Sequence, residues 1–237
     1  MRIGVLCSRI RLEERLILEA LRDRGVAVER LDEGGGVYDP EARAADFDVV
    51  LARCLSHWSA EYHVALLEGA GVRTVNRAEV IRVCGNKLLT TQALAAHGVP
   101  IPRTRIAFSG EAALAAAEAL GYPVVAKPLV GSWGRLVARL NDRDAVEAVV
   151  EHRQYMRSPQ HLVYYLQEYV DKPGRDLRVL VAGRRIVAAI ARVSAHWITN
   201  TARGATVVSV PVDRALEDLV LRAAAAVGGG LLAVDLL

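Results

Sequence analysis

Residues Val124–Val137 read VVAKPLVGSWGRLV, and their order decides the fold. An apolar run ends on Lys127; Pro128 and two apolar residues then lead into Gly131-Ser132-Trp133-Gly134. A second extended run, RLVARL, follows at once. Glycines let backbone N–H groups converge on an anion without Cβ interference, and a lysine supplies the charge a phosphate needs. The pattern is strand–glycine loop–strand. It is neither the strand–loop–helix of a dinucleotide fingerprint nor a Walker A loop, whose GxxxxGK[ST] is absent from the chain. Two readings stand: a hairpin flap closing over a triphosphate, or a plain β-hairpin with a buried-stem lysine.

Outside this stretch the composition bounds the answer. A chain of 237 residues, 52% hydrophobic and 24% charged, is a folded protein of one large domain or two to three small ones. The 30 basic residues include only three lysines, Lys87, Lys127 and Lys172, so a lysine here stands out from an arginine background. A net charge of +3 suits anionic ligands or an acidic partner and is too weak to argue for nucleic acid. Cys7, Cys54 and Cys84 are odd in number and lack CxxC pairing, which speaks for a reducing cytoplasm over a disulfide or zinc framework. No window approaches the ~18 apolar residues of a membrane span, and MRIGVLCSRI reads as a first strand. The expectation is a cytoplasmic protein with neither membrane nor nucleic acid as partner.

Strands are expected at 2–7, 26–31, 48–52 and 72–76, with helices at 11–24 and 58–70 between them. This alternation makes a small parallel α/β domain, and it has no GxGxxG after its first strand. From residue 77 the chain changes character. Helix 87–97 ends at Gly98, Pro100-Ile101-Pro102 marks a boundary, and strand 104–107 with helix 111–120 leads into the hairpin. Helix 142–152 follows. Extended segments at 162–170, 175–182, 185–193 and 205–210 resemble a mixed or antiparallel sheet, and helix 213–227 precedes the final run LLAVDLL.

Four further groups carry chemistry. Gln167-Glu168-Tyr169-Val170 closes an apolar strand and either offers backbone groups to an adenine edge or is a plain strand end. Asp176 and Arg178 alternate onto one face of a strand, to serve a ribose hydroxyl and a phosphate or to form a surface cross-strand pair. The stretch Arg192–Gly204 holds two arginines, His196, Trp197, Asn200 and two threonines without any period. Such a stretch is a surface loop or a binding loop held by a scaffold. His196 is its weak member as a base. Asp235 lies inside an apolar strand, where a buried carboxylate needs a partner or a metal.

Taken in order, VNRAEVI, CGNK, YPVVAKPLVGSWGRL, QEYVDKPGRDLRV, SAHWITNTARG and AVGGGLLAVDL resemble the ATP-grasp superfamily. Within it they are very similar to the LysX-type lysine-biosynthesis ligases, relatives of the RimK glutamate ligases. The likeness covers nearly the whole chain, most strongly from Val75. It implies an ATP-grasp fold behind a Rossmann-like parallel α/β domain, divided as 1–86, 87–165 and 166–237.

The activity implied is ATP-dependent carboxylate–amine ligation through an acyl phosphate. The carboxylate is the C-terminal glutamate side chain of a small acidic LysW-type carrier protein, and the amine is L-2-aminoadipate. ArgX-type relatives use glutamate as the amine, and a RimK-like glutamate ligase is the nearest alternative. The resemblance also implies Mg²⁺ and a homo-oligomer.

Carried over, Lys87 and Lys127 would contact ATP phosphates. Gly131, Ser132, Trp133, Gly134, Arg135 and Leu136 would form the flap, and Gln167, Glu168, Tyr169 and Val170 the adenine hinge. Asp176 would hold ribose and Arg178 the phosphate and acyl-phosphate region. Arg192, Asn200 and Arg203 would line the nucleotide and substrate pocket, with Ser194, His196, Trp197, Ile198 and Thr199 on the aminoadipate side. Asp235 would be a magnesium ligand. Catalysis in such a site is positioning and charge neutralisation. The family continues beyond this strand into an Asn-Glu-Val-Asn type segment that completes its magnesium site. The sequence therefore leads one to expect a C-terminally truncated ligase, or else an impaired ATP-binding or carrier-docking module.

Overall fold

A computed structural model describes residues 1–41, 46–156 and 159–237. The chain forms two compact units, Met1–Val83 and Cys84–Leu237. In the first, strands β1 (Arg2–Cys7), β2 (Ala27–Asp32), β3 (Val49–Ala52) and β4 (Arg73–Val75) form a parallel sheet ordered β2-β1-β3-β4. Helix α1 (Leu12–Arg22) connects β1 to β2, and α2 (His57–Gly69) connects β3 to β4. Leu6 and Val50 on neighbouring strands pack with Leu67 and Val72 as its core. Gly4 is needed because a Cβ there would stand 2.8 Å from the Leu31 side chain on β2. Glu14 on α1 is fully buried and held by Arg11 and Arg53, with N–O distances of 2.7 and 2.9 Å. The Arg11 guanidinium, with Arg53 beside it, outweighs burial and holds the Glu14 carboxyl at about 2. Helix α3 (Ala78–Gly85) carries the chain into the second unit.

The second unit begins with α4 (Lys87–Ala96), whose N-terminus is capped by Asn86 accepting from the amides of Leu88 and Leu89. Then come β5 (Thr104–Ala107), α5 (Gly110–Leu120), β6 (Val124–Lys127), β7 (Ala138–Leu140), α6 (Arg143–Tyr155) and β8 (Tyr164–Glu168). Ser109 caps α5 and Asp142 caps α6, each accepting an amide hydrogen from the first turn. The four strands make an antiparallel sheet ordered β5-β8-β6-β7. Val124, Ala126, Tyr164 and Leu166 face Ala113, Ala117, Val146 and Val150 in its core. The alanines and Gly110 let α5 and α6 approach closely: a Cβ on Gly110 would lie 2.5 Å from Val150 Cγ1.

Strands β9 (Arg175–Ala182), β10 (Arg185–Val193), β11 (Thr206–Ser209) and β12 (Leu231–Leu236) form a second antiparallel sheet, ordered β11-β10-β9-β12. Helix α7 (Arg214–Ala226) packs on one face of this sheet through Val220 and Ala224 against Val179, Val181 and Ala189. The extended segments thus divide between two sheets. Segment 162–170 shortens to β8, because 159–162 is a 3-10 turn, and it pairs with β5 and β6 rather than with β9. Residue 165, expected as the end of a subdomain, falls inside that strand.

Candidate active site

Three strand ends and two loops bring most of the singled-out residues together in the second unit. Buried Val124, Val125 and Ala126 anchor β6 and place half-buried Lys127 at its end. The Lys127 Nζ donates to Gln167 Oε1 at 2.5 Å on neighbouring β8. Burial pushes the Lys127 ammonium down to about 8, and the charges of Lys87 and Lys172 push it the same way. All three lysines of the chain therefore act on one place. Lys87, lowered by burial, donates from Nζ to the Gly131 carbonyl at 2.9 Å, and its backbone N–H donates to Leu129 O at 2.8 Å.

The second strand of the hairpin is shorter than the run RLVARL suggests. Trp133 and Leu136 have φ of 62° and 55°, so the left-handed turn extends through Leu136 and β7 starts only at Ala138. Arg135 lies over the Trp133 ring, 4.7 Å from its centroid. Gly134, at φ 65°, sits where a Cβ would be 2.9 Å from Ile198 Cγ2 and 3.0 Å from Asn200 Oδ1. Its carbonyl accepts from Arg203 Nη2 at 3.1 Å. The flap is thus seated on the loop 194–203.

Asp176, Arg178, Arg192 and Asp235 share the sheet face opposite α7, because Arg192 and Asp235 register with Asp176 and Arg178 across β9. Arg192 grips Asp176 through Nε and Nη2, at 2.7 and 2.6 Å. Arg178 grips Asp235 the same way, at 2.7 and 2.7 Å, and Arg192 Nη2 also reaches Asp235 at 3.2 Å. Burial opposes the Asp176 charge, but Arg192, Thr199 and Lys172 outweigh it and hold the carboxyl below its usual value. Asp176 and Arg178 do not pair with each other: each is bonded across the strands, Asp176 to Arg192 in a buried pair and Arg178 to Asp235. Lys172 Nζ donates to Thr199 Oγ1 at 2.7 Å and lies 3.5 Å from Asp176 Oδ2. Among the described residues Arg192 Nη1 is buried without a hydrogen-bond partner, an orphaned donor that suits an anionic ligand oxygen.

Other expected residues turn elsewhere. Glu168 is taken up by Arg103, from both its backbone N–H and its Nε. Ser194 Oγ accepts from the His196 amide, and His196 Nδ1 accepts from the Ile198 amide at 2.9 Å, so both side chains shape their own loop. Tyr169 meets Trp197 edge-on at 6.1 Å and carries the Arg139 guanidinium 4.0 Å above its ring. Val170 follows, half-buried. Ile198 and Thr199 are buried. A groove of about 600 Å³ lined by Arg184, Val187, Ser209, Val212 and Glu217 shares no residue with this site.

A magnesium ion at Asp235 does not fit the residues present. The expected burial is also corrected: the Asp235 side chain is 42% exposed. Both its oxygens are committed to guanidiniums. Among the described residues no group of three or more His, Cys, Asp or Glu could hold a metal.

Sequence reasoning missed Lys172, Thr91, Thr104, Tyr165, Arg103 and Arg139. Only Lys172 had a signal, as one of three lysines.

Residues 3–83 match the LysX preATP-grasp domain, and residues 84–237 match the RimK-like ATP-grasp domain. The chain is 36% identical over 239 residues to the glutamate–LysW ligase ArgX of Sulfurisphaera tokodaii, covering 100% of this chain and 85% of that one. It is 37% identical over 238 residues to the α-aminoadipate–LysW ligase LysX of the same organism, covering 98% and 84%. Among solved structures, the RimK domain ATP-grasp protein of Sphaerobacter thermophilus superimposes with a TM-score of 0.80 at 30% identity, covering 99% and 85%. Identity at this level over both domains, with four parallel strands followed by two antiparallel sheets, places the chain in the LysW-ligase family of ATP-grasp carboxylate–amine ligases.

Proposed function

We propose that the protein joins the C-terminal glutamate side-chain carboxylate of a LysW-type carrier protein to the amino group of L-2-aminoadipate. A carboxylate oxygen attacks the γ-phosphorus of ATP and releases ADP; the amine then attacks the acyl carbon, loses a proton and displaces phosphate. In this reading the sheet β5-β8-β6-β7, with Lys87, and the sheet β11-β10-β9-β12 act as the two halves of the ATP site. Lys87 and Lys127 face the phosphates under the flap Gly131–Leu136, with Lys127 held by Gln167. Residues 168–170 meet the adenine, Asp176 the ribose, and Arg178, Arg192, Asn200 and Arg203 the reacting oxygens. The loop 194–200 faces the amine. ATP-grasp ligases use ATP and Mg²⁺, and Asp235, bound by Arg178 and Arg192, is not a site for the metal as it stands.

The observation that carries this reading is Arg192, whose Nη2 reaches both Asp176 and Asp235 while its buried Nη1 has no hydrogen-bond partner among the described residues. A developing acyl phosphate offers that donor an oxygen. Glutamate as the amine is the second reading, favoured by the 36% identity to an ArgX ligase over the whole chain. The two amines differ by one methylene, worth about 1–3 kcal/mol in an apolar pocket. The test is incubation with ATP, Mg²⁺, carrier protein and each amino acid, read by the intact mass of the carrier. The reading expects a mass gain of one aminoadipate less water. A gain with glutamate alone supports the second reading, and no gain with either overturns both.

A further inference from the structure

Gln167 was expected to serve a bound adenine, yet every polar atom of its side chain is already committed. The amide is buried, and Lys127 Nζ, which can only donate, lies 2.5 Å from its Oε1. Both hydrogens of its Nε2 must therefore point away. They meet Thr104 Oγ1 at 3.0 Å and Tyr165 OH at 3.2 Å. Thr104 Oγ1 in turn donates to Pro102 O at 2.9 Å. The Tyr165 hydroxyl, accepting from Gln167, shares a 2.8 Å hydrogen bond with Thr91 Oγ1 in which either hydroxyl can donate. The direction is therefore fixed from Lys127 through Gln167 to Thr104 and Tyr165.

We propose that Gln167 is a positioning residue for Lys127, and that the hydrogen-bonded relay Lys127–Gln167–Tyr165–Thr91 fixes the ammonium between the hinge strand and helix α4. Thr91 lies one turn along α4 from Lys87, which is tied to the flap through Gly131 O. The relay therefore anchors the hairpin's lysine to the same helix that anchors its turn. Lys127 is faced by Lys87 from α4, by Lys172 from the segment after β8, and by Tyr165, its register partner on β8. Among the described residues no carboxylate is hydrogen-bonded to it, so the Gln167 oxygen is the acceptor that stabilises its charge. Burial and two neighbouring cations act against that charge, which makes the acceptor decisive. The proposal rests on the ATP reading above only for its effect on nucleotide binding.

The test has two arms. In the ligand-free protein, reductive methylation of each lysine is followed against pH by peptide mass spectrometry. Wild-type Lys127 should show a midpoint near 8, since only the neutral amine reacts. Gln167→Leu removes the acceptor and should shift that midpoint to lower pH. Gln167→Glu adds an anion and should shift it upward. Tyr165→Phe removes one support of the amide and should give a smaller downward shift, which keeps the test open if Gln167→Leu misfolds. Opposite shifts from Leu and Glu are not produced by general loosening; equal midpoints, or shifts of one sign, overturn the relay. In the second arm ATP affinity is measured by calorimetry. Binding should weaken as pH rises through the Lys127 midpoint, and Gln167→Leu should move this fall to lower pH with about tenfold weaker binding at pH 8. If methylation shifts as described while ATP binds to none of the proteins, the relay stands and the ATP reading fails.

Discussion

The replacement Asp176→Asn tests the centre of the site, because it keeps the shape and removes one charge from a buried pair. Arg192 is 2% exposed and Asp176 7% exposed, joined by two hydrogen bonds of 2.7 and 2.6 Å. Breaking a buried pair by removing one partner costs about 3–5 kcal/mol. Here Asp235 still lies 3.2 Å from Arg192 Nη2, and the new amide oxygen still accepts one bond. The expected loss is therefore about 2–4 kcal/mol. Urea unfolding should be followed in a Trp58→Phe background, since Trp133 and Trp197 then report on Cys84–Leu237 alone.

The sign against pH is fixed. The Asp176 carboxyl is held below its usual value, so its contribution is present above about pH 4 and is lost as pH falls through the lowered folded value. Wild type and Asp176→Asn should converge in acid. Adding Arg192→Met should cost less than the sum of the single changes, because the partner charge leaves with it. A loss below about 0.5 kcal/mol at pH 7, or strict additivity in the cycle, would refute the claim that this pair organises the face.

Three other outcomes are expected. Gly134→Ala places a β-carbon at φ 65° and 2.9 Å from Ile198, so ATP affinity should fall about fivefold or more, for about 1 kcal/mol of backbone strain, while urea stability of the first unit is unchanged. Glu14, held at about 2, should contribute about 3 kcal/mol above pH 4.5, and this is lost as pH falls toward 2; Glu14→Gln should flatten the acid limb of the first unit's stability, read by Trp58 fluorescence in a Trp133→Phe, Trp197→Phe background. Lys172→Met removes the donor to Thr199, so the loop 194–203 should be cleaved faster by trypsin after Arg203 than in wild type.

The hairpin, the alternating N-terminal elements and the loop 194–203 were legible because glycine, hydrophobic period and lysine scarcity are local signals. Their pairing was not. Nothing in segment 162–170 says that it joins the hairpin's sheet and not β9, since antiparallel partners are chosen by side-chain fit across strands far apart in sequence. The polar partners were hidden for a related reason. Thr91 and Thr104 look like ordinary helix and strand threonines until Gln167 and Tyr165 are folded against them. Asp235 misled in the opposite direction. An apolar run around a carboxylate suggests burial, yet Asp235 points to the sheet face opposite α7, where two arginines reach it.

The claim that matters most is acyl-phosphate ligation on a carrier carboxylate. Carrier protein labelled with ¹⁸O in its C-terminal glutamate side chain, incubated with the protein, ATP, Mg²⁺ and aminoadipate or glutamate, puts it to a direct test. The account predicts one ¹⁸O in each phosphate released, because the attacking carboxylate oxygen leaves with phosphorus. Unlabelled phosphate, released while ATP is consumed, would contradict it.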